Sequence, residues 1–123
     1  MTYIYILGKL LFGGYFLKGG YGHFKNADML AGYAKSKGVP SAKIAVLVSG
    51  GVMILGGLGV IFGPYTQLAT LLLLVFMLPV TLMMHAYWKI TDPAQRMGDE
   101  INFYKNVAII GALLMLFCLT SLL

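Results

Sequence analysis

Long apolar stretches separated by two polar segments set the pattern of this chain. The clearest stretch, LATLLLLVFMLPVTLMMHAYW from Leu68 to Trp88, carries no formal charge before Lys89. A helix rises about 1.5 Å per residue, so about 20 residues cross a hydrocarbon core of about 30 Å. This stretch therefore predicts a transmembrane helix, since a buried strand of a soluble protein would be much shorter.

Three further stretches have the same character, and the pattern predicts spans over residues 4–22, 44–62, 68–88 and 103–122. Between the first two spans, apolar positions follow helical spacing over residues 28–37, until Gly38 and Pro40 end the pattern. This short amphipathic segment is expected to lie in the headgroup plane. Four spans with short connections predict an all-α transmembrane four-helix bundle, up-down-up-down, as a single domain over residues 1–123.

The polar interruptions of these spans carry further expectations. The first span has no basic region before it and contains Lys18, so we expect it to be retained rather than cleaved as a signal. In the third span Pro79 lacks an N–H and frees the carbonyl of Val75, which Thr81 could help to satisfy. Thr81 and His85 are four residues apart and are expected to share a helix face.

Composition excludes a soluble domain, and the net charge indicates which class of partner the chain contacts. The chain is 59% hydrophobic and 11% charged, with a mean hydropathy of +0.85, whereas soluble domains carry about 25% charged residues. The net charge of +5 points to anionic lipid of a bilayer rather than to nucleic acid, because the apolar runs dominate. Cys118 is the single cysteine, so no disulfide within one chain and no thiol–disulfide exchange within it are expected.

The basic residues predict an orientation in the membrane. Lysine and arginine flank both polar segments, whereas the opposite side has only Lys9 nearby. The positive-inside rule therefore places both polar loops in the cytoplasm and both termini outside. The basic residues on the loop side are Lys25, Lys35, Lys37, Lys43, Lys89, Arg96 and Lys105.

Polar side chains that end the spans form the candidate site. His23 ends the first span and His85 ends the third, and these helices run in the same direction, so both histidines should lie near one interface. The fourth span begins at the same level. The candidate ligand-binding set is Lys18, His23, Thr81, His85, Lys105 and Asn106, in which the histidines would donate hydrogen bonds and the lysines would balance negative charge.

Three interpretations of this set remain open. Its members could simply finish helices at the interface. They could instead line a pocket for a quinone or another amphipathic molecule, with a ring held between glycine-faced helices. Metal or haem ligation by the two histidines is the least favoured, because no other motif supports it. No catalytic residue and no metal site are assigned.

Several longer stretches resemble the DoxX family of small integral membrane proteins, and together they cover nearly the whole chain. The loop SKGVP and the LPVT…H…W block are its least generic parts. The stretches are GGYFLKGGYGHFKN at 13–26, YAKSKGVPSAKIAVLVSGG at 33–51, GGLGVIFG at 56–63, LPVTLMMHAYW at 78–88 and FYKNVAIIGALLML at 103–116.

The resemblance implies a bacterial inner (plasma) membrane protein and a link to redox chemistry. The family takes its name from a subunit associated with a thiosulfate:quinone oxidoreductase, and other members are linked to quinone or oxidative-stress responses. We therefore expect a non-catalytic component of a redox or quinone-linked membrane system, with a redox enzyme as partner. The alternatives are a scaffold that recruits a soluble protein and a small-molecule transporter, which at four spans would need to form a homo-oligomer.

Overall fold

The computed structural model describes residues 1–121, which form helices and contain no strand. The elements are α1 (Thr2–Lys25), α2 (Ala27–Ser36), α3 (Ala42–Ile61), α4 (Thr66–Met84), a short 3-10 turn (Tyr87–Lys89) and α5 (Pro93–Ser121). The prediction of an all-α protein is confirmed. The expected end of the last span at Leu122 lies outside the described residues.

Within residues 1–121, three helices are long and apolar enough to cross a membrane by length and composition. These are α3, the α4 segment through Lys89, and α5. The helix α1 is also long, with 24 residues, but it does not reach the same apolarity because glycine, tyrosine and lysine dilute its hydrophobic residues. The helical content of the predicted bundle is thus present, while a membrane span by α1 and the up-down arrangement stay predictions.

Local sequence signals explain where the helices begin and end. The helix α5 begins at Pro93, ten residues before the predicted span at 103, because the Asp92 Oδ2 accepts a hydrogen bond from the Gln95 backbone N–H at 3.0 Å. Proline suits the first helical position, where its missing N–H costs nothing. The amphipathic helix α2 ends near Gly38, whose φ of +84° is a conformation that favours glycine.

The helix α4 continues through Pro79 as far as Met84. The buried Thr81 hydroxyl donates a 2.7 Å hydrogen bond to the carbonyl oxygen of Met77, four residues earlier. The expectation that this hydroxyl helps to satisfy the carbonyl of Val75 is wrong, because it bonds Met77 instead. A threonine hydroxyl readily bonds the preceding turn of its own helix, so the hydrogen of this hydroxyl is not available to a ligand.

Glycines bring α1 and α3 into backbone contact. A Cβ added at Gly13 would lie 2.7 Å from the backbone oxygen of Gly57, and one at Gly20 would lie 2.7 Å from that of Gly50. These distances leave no room for a side chain. In hydrocarbon, where apolar burial gives helices little drive to associate, such close van der Waals packing is a main source of stability.

The helices α3 and α4 touch closely near their connecting turn. Near their connecting turn, a Cβ at Gly59 would lie 2.4 Å from the Ala69 Cβ, and one at Gly56 would lie 2.4 Å from a Leu73 methyl group. The Thr66 hydroxyl also donates to the Gly59 carbonyl oxygen at 3.1 Å. Leu73 and Leu113 are fully buried in the common core, which joins α5 to this end.

Candidate functional site

A buried carboxylate joins the two polar segments at the end of the helices that lies opposite the turn between α3 and α4. Asp99, in the second turn of α5, is only 7% exposed. The Lys37 Nζ donates to its Oδ2 at 2.6 Å, while the Tyr33 hydroxyl donates to its Oδ1 at 3.4 Å. The His85 Nδ1 lies 3.3 Å from the same Oδ1. Both polar segments therefore lie at one end of the protein, held together by an ion pair.

Lys37 lies outside the apolar spans, and its ion pair with Asp99 affects its pKa. Partial burial alone would lower its pKa, but the hydrogen bond to Asp99, together with the charges of Tyr33 and Asp99, outweighs burial and raises the pKa of Lys37 above its usual value. The lysine therefore stays charged at neutral pH, and its positive charge balances the negative charge of the Asp99 carboxylate.

The contact with Asp99 decides which nitrogen of His85 carries the hydrogen. A carboxylate only accepts hydrogen bonds, so the Nδ1 that faces it must be the protonated nitrogen. The imidazole of His85 is half-buried. Its Nε2 has no hydrogen-bond partner among residues 1–121 and, in the neutral ring, is an acceptor.

His23 is held in the same tautomer by a different pair of groups. Its Nδ1 lies 2.9 Å from the Ser49 Oγ and 3.1 Å from the carbonyl oxygen of Val46. Since the Ser49 hydroxyl gives its own hydrogen to that carbonyl at 2.9 Å, a bare Nδ1 would face a carbonyl lone pair. The hydrogen therefore sits on Nδ1, and the Nε2 of His23 is also left as an acceptor.

A cavity of 580 Å³ is bordered by these two histidines and by residues of α3 and α4. Most of its wall is apolar, and Val48 on α3 and Val75 on α4 line it while remaining exposed on the outside of the helices. The cavity therefore opens sideways, within the apolar part of the protein. Its polar lining is Tyr33, His23, Ser49, His85, Lys105 and Asn106.

Asn106 is the most deeply buried polar residue of this lining. It is 5% exposed, and within residues 1–121 its side-chain amide has no hydrogen-bond partner, although it borders the cavity. Lys105 also borders the cavity, and its Nζ lies 3.3 Å from the Asn102 Oδ1. No fully buried side-chain nitrogen or oxygen of residues 1–121 lacks a hydrogen-bond partner, so the Asn106 amide must be accessible from the cavity. It is therefore available there to a polar group of a ligand.

Four of the six residues predicted for the site border this cavity, namely His23, His85, Lys105 and Asn106. Lys18 does not: it is exposed on α1. Thr81 does not border it either. The expectation that Thr81 and His85 share a helical face is wrong, because α4 ends at Met84 and His85 lies beyond it. The expectation that both histidines donate to a ligand is also revised, because the nitrogen left free on each ring accepts.

Sequence reasoning left Asp99, Lys37 and Tyr33 out of the candidate set. One signal for Asp99 exists in the sequence: Asp99, Asn106 and Leu113 are each seven residues apart and form the buried face of α5. A polar–polar–apolar series at that spacing indicates a helix whose polar end enters the protein. Lys37 had no comparable signal, since a lysine at the end of an amphipathic helix is ordinarily solvated.

Within residues 1–121 no group of three histidine, cysteine or acidic side chains is placed to hold a metal ion. What the site offers is an apolar cavity with hydrogen-bond acceptors, an amide and a cation at one end. With apolar helices long enough to span a bilayer, these features define a small helical membrane protein with a largely apolar cavity.

Comparison with known proteins then places the chain in a family. The DoxX family model matches residues 5–86, two thirds of the chain, and the protein belongs to the DoxX family. It is 30% identical over 84 residues to the inner membrane protein YphA of Escherichia coli (strain K12), a match that covers 68% of this chain and 59% of YphA. No solved structure matches it. The family match ends at Ala86, so it includes both histidines but not α5.

Proposed function

We propose that this protein is a non-catalytic component of a redox or quinone-linked membrane system and that it holds a quinone-type ring in the cavity. The observation that carries the proposal is the Asn106 amide, which makes no hydrogen bond within residues 1–121 and borders the polar end of an otherwise apolar cavity. A quinone has the matching form, since its ring and tail are apolar and its oxygens are polar.

The size and opening of the cavity agree with such a ligand. Pockets for small molecules are about 300–1,000 Å³ and mostly apolar, with a few polar groups that fix orientation, and this cavity has a volume of 580 Å³. Because the cavity opens between α3 and α4, a ligand dissolved in the bilayer could enter without crossing water. A ring in the cavity would place one oxygen near Asn106 and Lys105.

The location and partners follow from the family and the charges. The relative YphA is named an inner membrane protein, and we propose the same bacterial membrane for this chain. The basic residues around both polar segments favour placing those segments in the cytoplasm, with both termini outside. A cytoplasmic redox enzyme that exchanges electrons with the bound ring is the partner this arrangement favours.

A binding experiment with a matched control tests the ligand. Tetramethyl-p-benzoquinone should bind saturably to the protein in nanodiscs, above its partition into empty nanodiscs, as measured by equilibrium dialysis. Replacing Asn106 by leucine keeps the volume and removes the amide, and should weaken binding about fivefold or more, as expected for one lost hydrogen bond. The same replacement at the exposed Asn26 should change nothing.

Two results would contradict the proposal. One is a lack of saturable binding by the wild-type protein. The other is equal affinity of the Asn106→Leu and Asn26→Leu variants for the quinone. Mass spectrometry of protein purified gently from its native membrane gives an independent test, since a quinone should then be recovered with it in preference to phospholipid alone.

A further inference from the structure

Both histidines of the cavity offer a hydrogen-bond acceptor, which bears on the redox form of the ligand. The Nδ1 hydrogen of His85 is committed to Asp99, and that of His23 to Ser49 and Val46. The nitrogen that remains for a ligand is Nε2 in each ring, and in a neutral imidazole it accepts a hydrogen bond but cannot give one.

We infer that the cavity selects the reduced, dihydroxy form of the ring, a hydroquinone, over the oxidised quinone, and that Asp99 is the positioning residue that sets this preference through His85. This inference rests on the proposed function. A hydroquinone hydroxyl donates a hydrogen bond, whereas a quinone carbonyl only accepts one. An acceptor facing a carbonyl is repelled, so the two forms differ most strongly at the histidines.

The other polar groups do not remove this difference. The Asn106 amide can either give or take a hydrogen bond, so it serves both forms of the ring. The ammonium of Lys105 gives hydrogen bonds to a carbonyl or to a hydroxyl oxygen alike. The hydroxyls of Tyr33 and Ser49 give their hydrogens to protein oxygens, so they favour the same form as the two histidines. The choice between the two forms is therefore made by acceptors, chiefly His23 and His85.

The surroundings of Asp99 make its effect on His85 testable by a single change. Lys37 donates to Oδ2, while His85 and Tyr33 approach Oδ1. In an Asp99→Asn variant, Lys37 requires an oxygen on its side, so the amide NH₂ would face His85. The Nδ1 of His85 would then accept, and its hydrogen would move to Nε2, which turns the nitrogen left for the ligand into a donor.

The experiment compares three probes that share one ring: tetramethyl-p-benzoquinone, its hydroquinone and the dimethyl ether of that hydroquinone. Dissociation constants are measured anaerobically in nanodiscs at about pH 8, where imidazole is neutral. Wild-type protein should bind the hydroquinone at least about fivefold more tightly than the quinone or the ether, the size expected for a hydrogen bond. Each probe also partitions into the lipid, to the same extent for every variant. This effect cancels when the ratio of the quinone and hydroquinone dissociation constants is compared between variants.

Two variants separate the histidine from the ion pair. Asp99→Asn should lower the hydroquinone preference about fivefold or more, and nitrogen NMR of labelled histidine should show the His85 hydrogen on Nε2 instead of Nδ1. Lys37→Gln also breaks the ion pair but keeps the carboxylate against His85, so it should retain the wild-type preference.

Several results would overturn the inference. A wild-type protein that binds the quinone or the ether as tightly as the hydroquinone has no such selection, and neither does one whose NMR spectrum shows a protonated Nε2 on His85. An equal loss of preference in Asp99→Asn and Lys37→Gln would assign the effect to the ion pair and not to the tautomer. Absence of binding of all three probes would instead refute the proposed function itself.

Discussion

Replacing Gly13 by alanine should separate α1 from α3, while the same replacement at the neighbouring Gly14 should be harmless. A Cβ at Gly13 would lie 2.7 Å from the backbone oxygen of Gly57 and 2.6 Å from the Ile61 Cγ1. A Cβ at Gly14 would meet nothing within 4 Å. The two variants thus differ in contact with α3 and not in chemistry.

The expected magnitude follows from that distance. A carbon and a carbonyl oxygen come no closer than about 3.3 Å in ordinary contacts, so the helices must separate locally by roughly 0.6 Å. Overpacking of this kind costs about 1–3 kcal/mol. Alanine also favours a helix over glycine by roughly 1 kcal/mol, but both variants share this gain, so we expect Gly13→Ala to be less stable than Gly14→Ala by about 1–3 kcal/mol.

Reversible unfolding by SDS in mixed micelles, followed by circular dichroism, measures this difference. Equal unfolding free energies of the two variants, within about 0.5 kcal/mol, would refute the argument that backbone contact between α1 and α3 stabilises the protein. The adjacent glycines Gly50 and Gly51 repeat the comparison on α3, since only the first would bring a Cβ close to α1.

Three further predictions concern the ion pair at the charged end, its dependence on pH and the orientation of the protein in the membrane. Lys37→Gln should destabilise the protein by about 1–3 kcal/mol because it leaves the buried Asp99 without its cation. Lys43→Gln, whose ion pair is exposed, should cost less than about 0.5 kcal/mol in the same unfolding assay. Because the pKa of Lys37 is raised in the folded protein, its contribution is complete below the unfolded-state pKa of about 10.4 and is lost as pH rises through the folded one. Melting curves of wild type and Lys37→Gln should therefore keep a constant gap from about pH 7 to 9 and converge at higher pH. For orientation, a membrane-impermeant maleimide on intact cells should label Tyr65→Cys and not Lys35→Cys in a cysteine-free background; the reverse would invert the proposed topology.

The helical fold could be predicted from the sequence because its signals are local. Apolar length predicted the helices, and Asp92 before Pro93 is a local signal of the kind that starts a helix, which is where α5 begins. Equal direction of two helices predicted that His23 and His85 would lie at one end, and the cavity borders both. These inferences need only the period and length of a helix.

The details of the site depend on contacts between distant segments, which the sequence does not display. Asp99 is 62 residues from Lys37, and nothing in either segment alone indicates the ion pair. Thr81 illustrates the opposite case, because its hydroxyl is satisfied within its own helix and is not free for a ligand. The polar residues that matter are thus those whose local partners are missing, as for Asn106.

The cavity itself follows from the way the two ends of the protein are held. At the turn end, Gly56 and Gly59 let α3 approach α4 so closely that no side chain fits between them. At the other end, the Lys37–Asp99 pair links the segment before α3 to α5. The cavity lies between these two contacts, where α1 and α2 contribute to its wall together with α3, α4 and α5. The same carboxylate contacts Lys37 through Oδ2 and His85 through Oδ1. Loss of Lys37 should therefore weaken the link between the segments, whereas only a change at Asp99 itself should alter the tautomer of His85 and the ligand that the cavity accepts.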